Sequence, residues 1–375
     1  MNLYDELGVR PVINANATLT RLGGSVMPPE VIAAMQEAAR FHVDIEELHD
    51  RIGEKLAEIT GNEAAMVATG AAAGIVLAVA ACASNGDPEL ARRLPHTEAL
   101  ERNEVIMFTS HRNGYDFAVR QTGVKVIEIG NATHAGSAGL EAAFGPRTAA
   151  FIWFQGSFTG KGDLPIDQVI AACRARGVPV IVDGAAQLPP AENLWRFTQM
   201  GAACAIFSGG KDLRGPQATG LVVGQRWLIQ AMRRLASPNH GIGRPMKVGK
   251  EEMAGLLAAA KRYLALDHEA RRERDERVVA GWCAAFNKLP GVRAMRTFPN
   301  EAGQPLPRCQ LLIDPQQARV TRDELVARLW DGNPRVSVGA DAEDARGILL
   351  NPMTLTDEEA CIVEGRVLSL LQGDC

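Results

Sequence analysis

Seven short apolar runs punctuate the first two-thirds of the chain, at 65–68, 105–108, 124–129, 149–154, 178–182, 204–207 and 221–223. Most are apolar at nearly every position, the pattern of strands covered on both faces rather than on one. Helical patterns fall between them, at 71–83, 114–122 and 166–176. This alternation predicts an α/β fold with a mainly parallel seven-stranded sheet. The texture changes after Asn239-His240-Gly241-Ile242-Gly243-Arg244-Pro245, the strongest interruption by glycine and proline. Long helical patterns at 250–267 and 269–289, a strand at 310–313, and helices at 321–330 and 357–371 predict a smaller C-terminal α+β domain. At the other end, 11–29 is irregular and two amphipathic helices follow. The expected division is an N-terminal segment, 1–60, packing on the core or on a partner subunit, then a large domain, 61–245, and a small one, 246–375.

Ligands of open parallel sheets gather at the carboxyl ends of the strands. Thr69, His111, Gln155, Asp183 and Ser208 each fall just past a predicted strand end. Asp183 closes Pro179-Val180-Ile181-Val182-Asp183, and Lys211 closes the glycine turn Ser208-Gly209-Gly210-Lys211. A lysine at one strand end with a buried acid at another is what pyridoxal 5'-phosphate needs. The amine forms a Schiff base with the cofactor, and the acid keeps the pyridine nitrogen protonated so that the ring accepts electrons. Thr69-Gly70-Ala71 opens an alanine-rich helix whose free N–H groups and dipole suit a phosphate, and the Ser208 hydroxyl is a further phosphate donor. His111 is expected to stack on the pyridine face and Arg112 to pair with an anion. Asn14, Arg21, Arg244 and Lys247 are candidate substrate contacts, from charge and glycine/proline context alone. Two look-alikes fall away. Ser208-x-x-Lys211 also spells the nucleophile motif of penicillin-recognising enzymes, but its S-D-N and K-T-G partners are absent. The stretch 156–162 resembles a P-loop yet is one residue short, with glycine where Ser or Thr must follow the lysine. It is expected to touch substrate, not ATP.

Composition narrows the setting. The formal net charge of −4 gives no pull towards nucleic acid or an anionic membrane. Arg271-Arg272-Glu273-Arg274-Asp275-Glu276-Arg277 mixes both signs at helical spacing and reads as a solvated helix face. Seven cysteines stand singly, at 82, 173, 204, 283, 309, 361 and 375, without a C-x-x-C pair, so a reducing cytoplasm is expected rather than a disulfide framework or a zinc site. His42 and His49 lack a third ligand in register, and no metal is expected. Residues 64–83 carry no charge, but their Ala/Gly content and the break at Thr69-Gly70 predict a buried strand, turn and helix rather than a membrane span. Met1-Asn2-Leu3-Tyr4-Asp5-Glu6 has no basic n-region, so no secretion signal is expected.

Several stretches together resemble the selenocysteine synthase (SelA-like) superfamily of fold-type-I pyridoxal phosphate enzymes, and within it the D-glucosaminate-6-phosphate ammonia-lyase branch. They are Asn14-Ala15-Asn16-Ala17-Thr18-Leu19-Thr20-Arg21, Val182-Asp183-Gly184-Ala185-Ala186-Gln187, Ser208-Gly209-Gly210-Lys211-Asp212-Leu213-Arg214-Gly215-Pro216-Gln217 and Gly241-Ile242-Gly243-Arg244-Pro245-Met246-Lys247. The resemblance covers roughly the first two-thirds of the chain. It implies Lys211 as the Schiff-base lysine, Asp183 as the pyridinium partner and Thr69-Gly70-Ala71 as the phosphate cradle. It also implies homodimers or higher assemblies with shared active sites. Without a preceding tRNA-binding domain, and with an acidic net charge, selenocysteine synthesis on tRNA is not expected. The expected reaction is α,β-elimination from a polar 2-amino-3-hydroxy acid, such as D-glucosaminate-6-phosphate, to a 2-keto-3-deoxy acid and ammonia. The same carbanion also serves a racemase, epimerase or aldolase, and a non-catalytic ligand-binding protein on this fold is the alternative of another class.

Overall fold

The computed structural model describes residues 3–156, 162–300 and 302–373. Its strands are β1 (Val12–Ala15), β2 (Ala64–Ala68), β3 (Glu104–Phe108), β4 (Lys125–Ile129), β5 (Thr148–Phe154), β6 (Val180–Asp183), β7 (Cys204–Ser208) and β8 (Gly220–Gly224). They continue with β9 (Val292–Thr297), β10 (Arg308–Ile313), β11 (Arg335–Ala340) and β12 (Gly347–Leu350). The chain divides into two units, Met27–Leu266 and Met1–Val26 with Asp267–Cys375.

The larger unit is built on a seven-stranded sheet in the order β2-β8-β7-β6-β5-β3-β4. The seven strands are those predicted, and only β8 runs against the rest, antiparallel to both β2 and β7. Alternation of side chains distributes each strand between two cores. Val105 and Met107 of β3 face the helices Gly70–Ala83 and Arg226–Leu235. Ile106 and Phe108 face the opposite core, which Ile45–Thr60, Ile166–Ala175 and Lys250–Leu264 also line. The uncharged stretch is therefore β2, a turn and a buried helix. Gly74 lets that helix lie on the sheet, since a Cβ there would sit 3.0 Å from the Ile206 Cγ2. Among the described residues, no helix is long and apolar enough to cross a membrane.

The unit boundaries, after Val26 and after Leu266, differ from the expected 60 and 245. Packing explains the difference. Met253, Leu256, Ala260 and Tyr263 of helix Lys250–Leu264 are buried in the same core as the sheet. Gly255 admits helix Pro29–Ala38 alongside, because a Cβ there would meet Met35 Cγ at 2.9 Å. The smaller unit carries a second sheet, β1-β11-β12-β10-β9, in which β1 and β11 are parallel and the other pairs antiparallel. Trp282, Phe286, Leu325, Leu329, Val363 and Val367 from its helices are buried with the inward side chains of that sheet. Thr321 and Thr356 start two of those helices with reciprocal caps to Glu324 and Glu359.

Strand β2 lies at the edge of the large sheet, and helix Ile45–Thr60 covers it. The Val67 N–H donates to Nε2 of the buried His49 at 3.1 Å, and Gly53 passes so close that a Cβ would lie 2.4 Å from the Ala65 carbonyl oxygen. His49 is thus held neutral. Burial first, then the Arg233 charge, push its pKa from 6.5 down to about 3, against the opposing Val67 bond. A histidine with a depressed folded pKa contributes stability that is complete above its unfolded value and lost as pH falls towards the folded one. Urea unfolding should accordingly show roughly 2 kcal/mol less stability at pH 5 than at pH 7 from His49 alone. His49→Gln, whose amide oxygen still accepts from Val67, should flatten the acid limb by that amount; an unchanged limb would contradict the assignment.

Candidate active site

Strand β7 ends at Ser208 and β8 begins at Gly220, its antiparallel partner across the ladder. The chain between them is a loop closed by its own backbone. Gly209 N–H donates to the Thr219 carbonyl and Gly215 N–H to the Gly209 carbonyl, both at 2.8 Å. Neither glycine before the lysine tolerates a side chain. A Cβ on Gly209 would meet Thr219 Oγ1 at 2.0 Å, and one on Gly210 would meet Gln217 Cα at 2.7 Å. Asp212 and Leu213 anchor the loop inward, and Lys211 between them and the glycines is half-buried. Arg214 follows at φ +56°, a left-handed conformation uncommon for a non-glycine residue.

Asp183 stands at the end of β6, the strand beside β7, in register with Phe154 on its other side. Its backbone is fixed from both flanks: Gln155 N–H donates to the Asp183 carbonyl and Gly184 N–H to the Ile206 carbonyl, each at 2.9 Å. The side chain is buried, and Oδ1 accepts from Ala185 N–H at 2.9 Å. Burial pushes its pKa up, while that hydrogen bond and the Lys211 charge pull it down. A carboxylate in this position is stabilised by any cation or protonated ring nitrogen placed before it.

Two strands away from β7, on the far side of β8, β2 runs into the helix Gly70–Ala83. Gly70 has φ +77°, and a Cβ on Gly220 would lie 2.6 Å from the Gly70 carbonyl carbon and 2.8 Å from Ala71 N. Gly220 is opposite Ala68 on one side and Ser208 on the other, so half-buried Ser208 and the Thr69-Gly70-Ala71 turn are neighbours across one glycine. Thr69 Oγ1 does not cap its helix. It donates to the Met246 carbonyl at 2.9 Å, tying the 241–249 segment to the turn. Arg244 and Lys247 flank Met246, are exposed, and make no ion pair among the described residues.

The remaining candidates sit differently. His111 is fully buried, edge-on to Trp153 with ring centroids 4.6 Å apart, and its Nδ1 accepts from Phe154 N–H at 3.3 Å. Burial lowers its pKa to about 4, against the opposing charge of Asp163, so it is a neutral brace beneath the rim rather than an open ring face. Arg112 is engaged elsewhere: its Nε donates to Asp116 at 2.6 Å and a terminal nitrogen to Glu128. Asn14 and Arg21 belong to the smaller unit. There Asn14 shapes a turn, donating to the Ala17 carbonyl at 2.8 Å, and Arg21 is exposed on a short 3-10 helix. Of the 156–162 stretch, 157–161 lie outside the described residues. Sequence reasoning missed Gly220 and Asp163, whose carboxylate accepts from Ser110 beside His111. Gly220 is visible in the sequence as a glycine, but nothing local reveals what it must let pass. Among the described residues, no cluster of three or more metal-ligating side chains occurs.

A family model described as "SelA: L-seryl-tRNA selenium transferase" matches residues 12–278. A 5'-C-glycyluridine monooxygenase-decarboxylase from Streptomyces sp. is 37% identical over 89% of this chain and 83% of its own length. D-glucosaminate-6-phosphate ammonia lyase from Salmonella typhimurium is 29% identical over 99% of this chain and 98% of its own. A solved structure of a D-glucosaminate-6-phosphate ammonia-lyase superposes with a TM-score of 0.86 at 28% identity, covering 100% of this chain and 99% of that one. The fold is fold type I of the pyridoxal phosphate-dependent enzymes. Gly220→Ala should push the 69–71 turn off its position while leaving both sheets intact. Titration with pyridoxal 5'-phosphate should then show at least tenfold weaker binding with an unchanged circular dichroism spectrum; unchanged binding would remove the turn from the site.

Proposed function

Because the chain belongs to the SelA family, we propose that it binds pyridoxal 5'-phosphate on this rim and removes ammonia from a polar 2-amino-3-hydroxy acid. The observation that carries the reading is Asp183 at the end of β6 and Lys211 in the loop that leaves the adjacent β7, the Lys211 charge pulling the Asp183 pKa down against burial, with a helix N-terminus beyond β8. The residues present fit the group: a lysine, a buried acid for the ring nitrogen, and a glycine-opened N-terminus with Ser208 beside it for the phosphate. When bound, the cofactor supplies an aldehyde that captures amines and a ring that accepts electrons from the α-carbon.

The chain's own groups do the rest. The Lys211 amine would hold the cofactor aldehyde in the resting enzyme and, when free, would take the substrate's α-proton at Nζ. Asp183 would keep a proton on the ring nitrogen, and its burial would strengthen that pairing. Exposed Arg244 and Lys247, which make no ion pair among the described residues, supply cationic contacts for the substrate's carboxylate or phosphate. Loss of the β-hydroxyl as water, followed by hydrolysis of the amine-bearing carbon, gives a 2-keto-3-deoxy acid and ammonia. D-Glucosaminate 6-phosphate, the substrate in the name of the lyase relatives, is the first compound to offer it. The Streptomyces relative favours a second reading, in which the same α-carbon is oxygenated and decarboxylated. Both relatives are named for an amino acid carried on a sugar or nucleoside, and a 2-amino acid with a sugar-derived side chain is the substrate class common to the two readings. The enzyme acts in the cytoplasm, where its singly standing cysteines suit a reducing compartment, as a homodimer or higher homo-oligomer, for which the exposed Tyr115 and Phe117 just beyond His111 offer apolar surface.

Incubation with D-glucosaminate 6-phosphate and its unphosphorylated form should release ammonia and keto acid in equal amounts without oxygen uptake. Oxygen consumption with carbon dioxide release would favour the second reading. Lys211→Ala should lower turnover by more than about 10³-fold and abolish the borohydride-reducible chromophore. If that variant kept the chromophore, the assignment of Lys211 would be wrong.

A further inference from the structure

Far from Lys211 in sequence, the smaller unit holds a second reactive pair. Cys283, on the last turns of helix His268–Phe286, and Cys309, in β10, bring their Sγ atoms to 3.7 Å. Neither element has room to drift. Strand β10 is held on both sides, with Cys309 opposite Arg296 of β9 and Leu350 of β12. The helix is clamped to the sheet just beyond Cys283. Asn287 donates to the Ala294 carbonyl and accepts from the Ala294 N–H, both at 2.8 Å. The two sulfurs also differ in access: Cys283 is partly exposed and Cys309 fully buried.

We propose that Cys283 and Cys309 form a dithiol that a peroxide-class oxidant converts to an intramolecular disulfide. A bond of about 2.05 Å requires the sulfurs, now 3.7 Å apart, to close by little more than about 1.6 Å. Cys283 acts first because it is accessible and because the thiolate is the reactive form. The neighbouring Cys309 thiol holds Cys283 below the ordinary thiol range, while Cys283 and burial push Cys309 up. The Cys283 thiolate attacks one peroxide oxygen, giving a sulfenic acid and releasing the other oxygen as water. The Cys309 sulfur then displaces hydroxide from that sulfenic acid, its proton leaving with it as a second water. Two thiols and one hydrogen peroxide become one disulfide and two waters, with both sulfurs oxidised and both peroxide oxygens reduced. The product ties helix His268–Phe286 covalently to β10, the strand next to the β9 edge of its own sheet.

The test is peptide mapping of the native full-length protein after hydrogen peroxide, with iodoacetamide added under denaturing conditions. The expected product is one linked peptide pair joining Cys283 and Cys309, lighter by two hydrogens than its parts and reversed by dithiothreitol. Exposed Cys361 should remain alkylatable at low oxidant and serves as the internal reference. Cys309→Ser should drive Cys283 to the sulfinic acid, because no second thiol intercepts it. Should that buried variant not fold, Cys283→Ser should leave Cys309 fully alkylatable after the same treatment. The proposal is overturned by wild-type Cys283 reaching the sulfinic acid while Cys309 stays a thiol. Links formed only between chains, or neither residue reacting, would overturn it equally.

Discussion

Everything at the active rim hangs on the reversed strand β8. Because it enters the sheet from the carboxyl end, the chain leaving β7 must turn back at once. The Gly209–Thr219 hydrogen bond closes that return. Lys211 is thereby confined to a short loop whose two ends are neighbouring strands, instead of riding on a longer connection. The same strand brings Gly220 beneath the 69–71 turn, so one reversal fixes both the lysine and the helix N-terminus. A parallel strand at that place would carry its first residue to the opposite rim.

The dry interior then sets the electrostatics. Helix Gly70–Ala83 and strand β5 bury almost every side chain and carry no charge, so little screens Asp183 from Lys211. An acid there is costly to ionise unless something positive faces it, and the lysine alone only partly meets that need. His111 shows the opposite solution in the same environment. It stays neutral and accepts a backbone hydrogen bond.

The larger sheet was legible because its strands are buried on both faces and write themselves as unbroken apolar runs. Strands β1, β9, β11 and β12 were not. Val292–Thr297 is exposed at Arg293 and Arg296, Arg335–Ala340 is buried only at Val336, Ser337 and Val338, and Val12–Ala15 finds its partner only at Arg335–Val338. Short, half-exposed strands paired over long sequence distances leave weak local signals. Lys211 and Asp183 could be read as a pair because strand ends converge by topology. The engagement of Arg112 could not, since Asp116 and Glu128 reach it through a helical turn and the neighbouring strand β4. The unit boundaries were hidden for a similar reason: helix Lys250–Leu264 follows the glycine-rich break yet packs under the sheet that precedes it.

The cover on β2 matters for how chains avoid one another. An apolar sheet edge is a template on which a second chain can add a strand. Here the helix Ile45–Thr60 lies over that edge, with His49 and Gly53 holding it close. Any state in which the helix detaches while the sheet persists exposes five residues of small, uncharged strand, Ala64–Ala68, with their ladder groups open. Protection of this edge therefore rests on how firmly one helix stays docked.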